Sequence, residues 1–221
     1  GRAGWTVRVR DEQGNGHART RTNGAGHFAL KLPPELKGRP LELEVMLPEA
    51  WHAVAATEQD LPIAPLRHAG DARWRFTAHP DVQYDGVRLG VVRAPELRAP
   101  ERRRIRPGST QLFPFRYTPH TPGRARFHYA GNLRAETQWK HAFFLDPDCD
   151  GESEYVDHDT TRWVDNQPGR PICVRVRVEV PEAARGGVLD IDLSAETRVP
   201  DNPLDFEMPA LETGMQVELA P

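Results

Sequence analysis

The stretch ICVRVRVEVP, residues 172–181, indicates the fold of this chain more clearly than any other. Apolar residues recur at every second position from Ile172 to Val180, and charged residues or cysteine stand between them. A period of two is that of a β-strand with one buried face, and valine and isoleucine favour strands. We therefore predict a strand whose valines face a core, while Cys173 and Arg175 point outward.

The same alternation recurs along almost the whole chain, with glycine and proline between the segments that carry it. Asn15-Gly16 and Asn23-Gly24 are favoured pairs for tight turns. Many short alternating segments with such turns are typical of β-sandwiches, so we predict an all-β fold. The other alternating segments are GWTVRVR (4–10), HFALKLP (27–33), LELEVML (41–47), RWRFTA (73–78), GVRLGVV (86–92), QLFPFRY (111–117), RARFHYAG (124–131), QWKHAFFLD (138–146), GVLDIDLSAETRV (187–199) and MQVELA (215–220).

Two segments also allow a helix. In PEAWHAVAATEQ, residues 48–59, Pro48 suits the first turn of a short helix. NLRAETQWKHAF, residues 132–143, has a comparable propensity for a helix. In the second segment, however, Trp139 and His141 begin a period of two that continues into the following apolar residues, and we favour a strand there.

The segment RAPELRAPERRRIRPG, residues 93–108, divides the chain into two halves. Its three prolines interrupt the alternation, and proline is a strong breaker of regular structure. A chain of 221 residues is long enough for two domains, each with its own core. We predict two tandem β-sandwich domains, 1–93 and 94–221.

Charge and hydropathy exclude some classes of partner. The formal net charge is -3, which gives no general attraction to nucleic acid or to anionic membranes. The basic run ERRRIR, residues 101–106, has no interleaved aromatic residues of the kind that stack on bases. No apolar run approaches the roughly 20 residues of a membrane-spanning helix. We expect no nucleic-acid partner and no membrane insertion of this segment.

The stretch DPDCDGESEYVDHD, residues 146–159, contains seven carboxylates and no lysine or arginine. Like charges so close together repel one another unless a cation lies among them. Three aspartates two residues apart, followed by glycine, have the spacing of a calcium loop. A solvated acidic turn and a catalytic carboxylate pair are the alternatives. We predict calcium, with its ligands drawn from Asp146, Asp148, Asp150, Glu152, Glu154 and Asp157.

The chain has two cysteines, Cys149 in the acidic stretch and Cys173 in the predicted strand. They have neither a CxxC motif nor a zinc-site spacing, so they form either a disulfide or two free thiols. A bridge would pin the acidic stretch against the outer face of the sheet. Closing a loop of this length stabilises a fold by about 3 kcal/mol in the chain-entropy model.

Trp163 lies in the polar segment TTRWVDN, residues 160–166, whereas the other tryptophans lie mostly at inward strand positions. Core packing is the expected role of those others. An exposed tryptophan is suited to contact carbohydrate or a partner protein, so Trp163 is a candidate ligand contact. The sequence has no GxSxG motif and no cysteine with a motif partner, and we predict no catalytic residue.

The second half resembles the conserved-repeat β-sandwich domain that occurs, often in tandem, in large secreted and cell-surface proteins of bacteria and archaea. In that family a strand after Pro-Gly precedes a strand that ends in an Asp/Asn-rich turn with a cysteine. A strand with a second cysteine and a VPEAA-like bend follow. The resemblance covers about residues 84–200. The segments that carry it are YDGVRLGVV (84–92), RPGSTQLFPFRYT (106–118), FFLDPDCDGESE (143–154), PICVRVRVEVPEAARGG (171–187) and LDIDLSAET (189–197).

The first half resembles the transthyretin-like B-type repeats of surface adhesins and carboxypeptidase regulatory domains, through VRVRDEQGNGHARTRTNGAGHFALKLP (7–33). Adhesin repeats of this type often carry a Lys-to-Asn isopeptide bond with the lysine on the first strand. Here that strand offers Arg8 and Arg10, which cannot form an amide. We therefore predict no isopeptide bond.

These resemblances imply tandem Ig-like and transthyretin-like β-sandwiches and a Cys149–Cys173 disulfide, which would place the chain in an oxidising compartment. The expected function is a non-catalytic structural or adhesive module of an extracellular or cell-surface protein, in a stalk, filament or surface layer. Other domains, or copies of the same or another surface protein, would be its partners. The alternative is an accessory module of a secreted enzyme that binds carbohydrate or a partner protein.

Overall fold

The chain folds into β-structure. Within the described residues the regular elements are β-strands and one short 3-10 helix, Pro34–Leu36, and no α-helix occurs there. The described part also contains no helix long and apolar enough to span a membrane. The predicted all-β fold is confirmed. The computed structural model describes residues 3–56, 58–60, 65–79, 82–101, 104–199 and 207–220.

The chain separates into two compact units, Gly1–Arg93 and Ala94–Pro221. The separation falls within the proline-rich segment where the sequence places the domain junction. The strands of the first unit are β1 (Thr6–Asp11), β2 (Gly16–Arg21), β3 (Pro40–Met46), β4 (Trp51–Ala56), β5 (Arg67–His68), β6 (Arg73–Thr77) and β7 (Leu89–Arg93).

Five strands of the first unit form an antiparallel sheet in the order β2-β1-β3-β6-β5, and β4 pairs separately with β7. One face of the five-stranded sheet is buried, as Val7 in β1 illustrates. The other face carries cross-strand ion pairs between β1 and β3, at 2.6 Å for Arg8–Glu44 and 2.5 Å for Arg10–Glu42. The alternation of valine and arginine in β1 therefore separates a core face from a charged face.

The expected strand in HFALKLP, residues 27–33, is absent. Phe28, Leu30 and Leu32 still alternate with exposed residues, and all three are half-buried against the core of the first unit. The backbone groups of residues 28–32 form no hydrogen bond with the described part of the chain. The prediction is wrong because alternation makes a strand only where a neighbouring strand can pair with it. Residues 48–59, where a helix was the alternative, contain strand β4.

The strands of the second unit are β8 (Glu96–Arg98), β9 (Arg104–Ile105), β10 (Thr110–Thr118), β11 (Gly123–Arg134), β12 (Lys140–Asp146), β13 (Glu154–Tyr155), β14 (Val164–Asn166), β15 (Ile172–Glu179), β16 (Val188–Arg198) and β17 (Glu207–Leu219). They form two five-stranded sheets. One has the order β13-β12-β15-β10-β8, and we call it the disulfide sheet because its strand β15 contains Cys173, which is disulfide-bonded. The opposite sheet has the order β14-β11-β16-β17-β9. The strand favoured over a helix in residues 138–146 is present as β12.

Side chains from both sheets of the second unit meet in one buried core. Phe113, Phe115 and Val176 belong to the disulfide sheet, and Phe127 and Ile191 belong to the opposite sheet; all five are fully buried. Two sheets that bury their inner faces against one another form a β-sandwich. The alternation of the stretch that includes β15 thus places its valines in this core, as the sequence predicts.

The segment 93–108 is not a free linker throughout. Strand β8 pairs with β10 of the disulfide sheet, and β9 pairs with β17 of the opposite sheet. Both short strands therefore belong to the second unit. Arg102 and Arg103, in the middle of the basic run, lie outside the described residues.

Strands β9 and β17, near the two ends of the second unit, run parallel. Glu218 and Leu219 lie opposite Arg104 and Ile105, and the backbone N–H of Ala220 donates to the carbonyl of Ile105 at 2.7 Å. All the other strand pairs of this unit within the described ranges are antiparallel. The first and last parts of the unit are therefore joined directly by backbone hydrogen bonds.

Candidate functional site

The acidic stretch begins at the end of β12 and turns back over the neighbouring strand β15. Asp146, the last residue of β12, lies opposite Cys173 in the sheet. Cys149 follows three residues later in the left-handed region, at φ 56°, and forms a disulfide with Cys173 with a Cα–Cα distance of 4.9 Å. The structure thus contains the pairing that the family resemblance implies, and it ties the turn to the outer face of the disulfide sheet.

Asp146 is fully buried and organises the turn. Its carboxylate lies 2.5 Å from the guanidinium of Arg175 on β15. The same carboxylate accepts hydrogen bonds from the backbone N–H groups of Asp150 and Gly151, both at 3.2 Å. A buried carboxylate is stable in this setting because a cation and two donors replace its lost hydration.

Arg175 also donates to the carbonyl oxygen of Gly151 at 3.2 Å, so one guanidinium holds both ends of the turn. Only 17% of its side chain is exposed. The positive charge that the acidic stretch requires is therefore supplied, at least at Asp146, by an arginine 29 residues further along the chain. We call Asp146, Arg175 and the Cys149–Cys173 bond the turn clamp.

The other predicted calcium ligands are spread along the turn. Asp148, Asp150, Glu152 and Asp157 are exposed. The Asp150 carboxylate accepts the backbone N–H of Glu152 at 2.8 Å. Such a bond between residues two apart is typical of an Asx turn, in which an aspartate supports the local backbone.

The sixth predicted ligand, Glu154, lies in β13 and forms an exposed ion pair with Arg162 at 3.2 Å. Among the described residues, no three His, Cys, Asp or Glu side chains are placed to hold one metal ion. The structure therefore does not bring the six residues into a single cage, and calcium binding stays a prediction. Its ligands would come chiefly from the exposed carboxylates, because Asp146 is already occupied by Arg175.

Trp163 lies just before β14, half-buried on the outer face of the opposite sheet. The guanidinium carbons of Arg126 and Arg198 lie 4.8 and 4.6 Å from the centre of its ring. Both distances are those of cation–π contacts. Each arginine also pairs with a carboxylate, Arg126 with Glu196 at 2.6 Å and Arg198 with Glu207 at 2.5 Å. A sugar ring would have to compete with these guanidinium groups for the Trp163 surface.

The structure reveals a buried polar contact between the sheets that the sequence analysis missed. The hydroxyl groups of Tyr117 in β10 and Thr197 in β16 lie 2.9 Å apart, and Asn166 donates to Tyr117 at 3.4 Å. Burial raises the pKa of Tyr117 to about 12, so its phenol stays protonated. No sequence spacing could have indicated this contact, since its members are far apart along the chain.

A second missed contact joins Tyr129 in β11 to His141 in β12, with 2.8 Å between the hydroxyl and Nδ1. Burial lowers the pKa of His141, and the charge of Asp159 opposes that shift. Burial also raises the pKa of Tyr129. Gly131 makes room for this pair, since a Cβ there would collide with the Tyr129 hydroxyl. The contact links the two sheets near the start of β12, five residues before Asp146, where the acidic stretch begins.

Comparisons with known proteins give no family. No protein-family model matches the sequence, and no curated protein matches it. A family 123 glycoside hydrolase from Clostridium perfringens is similar over 53% of this chain at 9% identity and a TM-score of 0.31. This chain spans only 22% of the length of that hydrolase.

Two further solved structures match most of their own length. The ASH/PapD-like domain of human CEP192 has 13% identity and a TM-score of 0.29, over 57% of this chain and 82% of that domain. AvmM, which catalyses macrocyclization in alchivemycin A biosynthesis, has 9% identity and a TM-score of 0.31, over 58% of this chain and 89% of AvmM. At these TM-scores the likenesses carry no argument about fold or function.

Proposed function

We propose that this chain is a non-catalytic structural module of an extracellular or cell-surface protein, in which it spaces or carries other domains. The observation that carries the proposal is the parallel pairing of β9 with β17 in the second unit. A force that separates the two ends of that unit first loads β8, which pairs with β10; once β8 has separated, the force pulls β9 and β17 in opposite directions along their own axes. Their hydrogen bonds then share the load instead of opening one at a time.

The turn clamp supports the same proposal. Disulfides persist in secreted and surface proteins and are rare in reducing compartments. The bond between Cys149 and Cys173 would also shield the enclosed loop from extension under load. Calcium on the exposed carboxylates of the turn is part of the proposal, because an ion that binds only the folded state adds stability.

A partner-binding accessory module is the second candidate. It is favoured by the outer face of the disulfide sheet, where Tyr155 is 62% exposed and Leu112 is 46% exposed. Phe144, on the same face, packs edge-on against Tyr155 at 5.7 Å. Exposed aromatic and aliphatic side chains of this kind are suited to contact a protein surface.

Single-molecule force spectroscopy of the chain held at its two ends tests the structural proposal. Reduction should lengthen the unfolding extension of the second unit by about 80 Å, because the bond spans 24 residues. That change identifies which rupture belongs to the second unit.

The matched variants are Ala220→Pro, which removes the N–H that donates to Ile105, and Ala220→Gly, which keeps it. The proposal expects the second unit to rupture at a lower force in the proline variant only. Equal rupture forces in the two variants, or extension without a distinct force peak in the original protein, would contradict a load-bearing role.

A further inference from the structure

The first unit contains a cleft beside the unpaired segment 28–32. The cleft has a volume of about 690 Å³, which is within the range of small-molecule sites. Val82, Gln83, Tyr84, Asp85 and Val87 also line this cleft. The apolar side chains that dominate the lining are Phe28, Leu30, Leu32, Phe76, Tyr84 and Val87.

All of these apolar side chains except Phe76 are only half-covered by the protein. Phe28, Leu30, Leu32, Tyr84 and Val87 each pack against the core of the first unit but keep part of their surface open. Apolar surface left in water is unfavourable relative to the same surface buried. A bound apolar molecule that covers this surface would therefore gain free energy without any rearrangement of a closed core.

The cleft is also marked by lysines. The chain has only three, Lys31, Lys37 and Lys140, and the first two line this cleft. Neither Lys31 nor Lys37 forms an ion pair within the described ranges. Most arginines on the charged face of the neighbouring sheet, in contrast, are paired with carboxylates. Two unpaired ammonium groups at an apolar cleft offer a place for a negative charge.

The acidic residue that lines the cleft does not cancel these charges. Asp85 is the one carboxylate among the described lining residues, and its side chain accepts a hydrogen bond from Gln83 at 2.8 Å. The lining therefore combines an apolar floor with a net positive rim. Apolar walls and a few charged groups are the features by which a protein selects a ligand with one apolar part and one charged end.

From these features we infer that the cleft binds an organic anion with an extended apolar body, such as a medium-chain carboxylate. The apolar body covers Phe28, Leu30 and Tyr84, and the acid group lies near Lys31 and Lys37. This site is separate from the proposed load-bearing role, which rests on the second unit. The first unit would then bind a ligand while the second carries load.

Isothermal titration calorimetry with laurate below its micelle concentration tests the inference on the full chain. Dodecyltrimethylammonium, which has the same chain length and the opposite charge, is the ligand control. We expect saturable binding of laurate with one site, and binding of the cation at least about tenfold weaker, because Lys31 and Lys37 repel a positive head group. Laurate heats that do not saturate, or equal binding of the two amphiphiles, would overturn the inference.

The variant Lys31→Gln with Lys37→Gln removes the charges and leaves the apolar floor in place. Two exposed ion pairs are together worth about tenfold in affinity, so laurate binding should weaken by about that factor. Lys140→Gln is the matched control, since it removes the third lysine, which lies in β12 of the second unit. An equal loss of affinity in the control would show that net charge causes the effect and would contradict a binding site at Lys31 and Lys37.

Methyl NMR of Leu30 and Leu32 provides a readout that does not depend on a variant. Laurate should shift these resonances in proportion to saturation, whereas the methyl resonances of Leu189 and Ile191 in the second core should not move. Shifts confined to the second unit would place the ligand elsewhere and contradict the assignment.

Discussion

In the second unit, side chains of two five-stranded sheets enclose a core whose largest members are fully buried; in and around the core of the first unit, as many apolar residues are half-buried as buried among those described. Both units have the same alternating sequence pattern. The difference lies in the neighbouring strands: β15 pairs on both sides, whereas residues 28–32 pair with no strand in the described part of the chain. The alternating pattern therefore determines which side chains share one face of a strand. That face becomes fully buried only where neighbouring strands pair and a second sheet packs against it.

The largest expected effect is a core truncation that compares the two units. Phe115→Ala, in the closed core, should lower the free energy of unfolding of the second unit by about 3–5 kcal/mol, through lost burial and a cavity. Phe28→Ala should cost the first unit only about 1 kcal/mol, because that ring is already partly in water. Urea unfolding followed by hydrogen exchange and mass spectrometry assigns each loss to its unit. Equal losses of unfolding free energy in the two units would contradict the difference in core burial between them.

Removal of the disulfide should affect one unit only. Cys149→Ser with Cys173→Ser opens a loop with a sequence separation of 24 and should lower the stability of the second unit by about 3 kcal/mol. The first unit should unfold at an unchanged urea concentration. A parallel loss in both units would show that they do not unfold separately.

Calcium, if it binds the exposed carboxylates of the turn, should raise the free energy of unfolding of the second unit and leave that of the first unit unchanged. At a calcium concentration one hundred times the dissociation constant, the second unit should gain about 2.7 kcal/mol. Thermal unfolding with calcium and then with a chelator measures this gain. The variant Asp148→Ala with Asp150→Ala should lose it, and an unchanged melting temperature in the original protein would refute the calcium prediction.

Two conservative substitutions compare the contribution of the turn clamp to stability with that of the exposed acidic residues of the turn. Asp146→Asn keeps the side-chain shape but loses the charge that pairs with Arg175, and should cost about 2 kcal/mol. Asp148→Asn, on an exposed side chain two residues further on, should change stability by less than about 0.5 kcal/mol. Both are measured by urea unfolding in the absence of calcium. Similar costs would mean that the turn acts as one diffuse acidic surface.

The smallest expected effect is on pH dependence. Burial lowers the pKa of His141 below 6.5, so the unfolded chain binds its proton more readily than the folded one. The second unit should therefore lose stability as the pH falls from about 6.5 toward the folded pKa. His141→Gln should flatten this slope between pH 5 and 6.5, as measured by melting temperature. A steeper slope in the variant would contradict the assignment.

A separate set of groups governs lower pH. Arg126 hydrogen-bonds Glu196 and lowers the pKa of that carboxyl, and His120 does the same for Glu96. Their stabilising contributions are present above the ordinary carboxyl pKa near 4.5 and are lost below it. The His141 effect is thus measured in a window where these carboxylates remain charged.

The sequence predicts the longer strands of the second unit well, because these strands have a period of two and a paired neighbour. The valines of β15 and the aromatic residues of β10 are buried as expected. The same rule fails for residues 28–32, since alternation contains no information about whether a partner strand is available. Likewise, the short strands β8 and β9 lie in a proline-rich segment whose composition indicates a linker.

The candidate site could be predicted only in part. The spacing of the acidic residues and the family resemblance indicate a turn and a bond between Cys149 and Cys173. The role of Arg175 could not be derived, because it depends on the register that places it beside the end of β12. The lysines around the cleft raise the same difficulty, since they become neighbours of residues 82–87 only in the folded unit.

The formation of the disulfide depends on the correct alignment of β12 and β15. Cys173 lies opposite Asp146, and Cys149 reaches it only through the turn that Asp146 organises. A slip of one residue between β12 and β15 would turn Asp146 and Cys173 to opposite faces of the sheet. A misaligned chain would keep two free thiols, which alkylating reagents can modify and which can form mixed disulfides. Oxidation therefore forms the disulfide in correctly aligned molecules, and free thiols distinguish the misaligned ones.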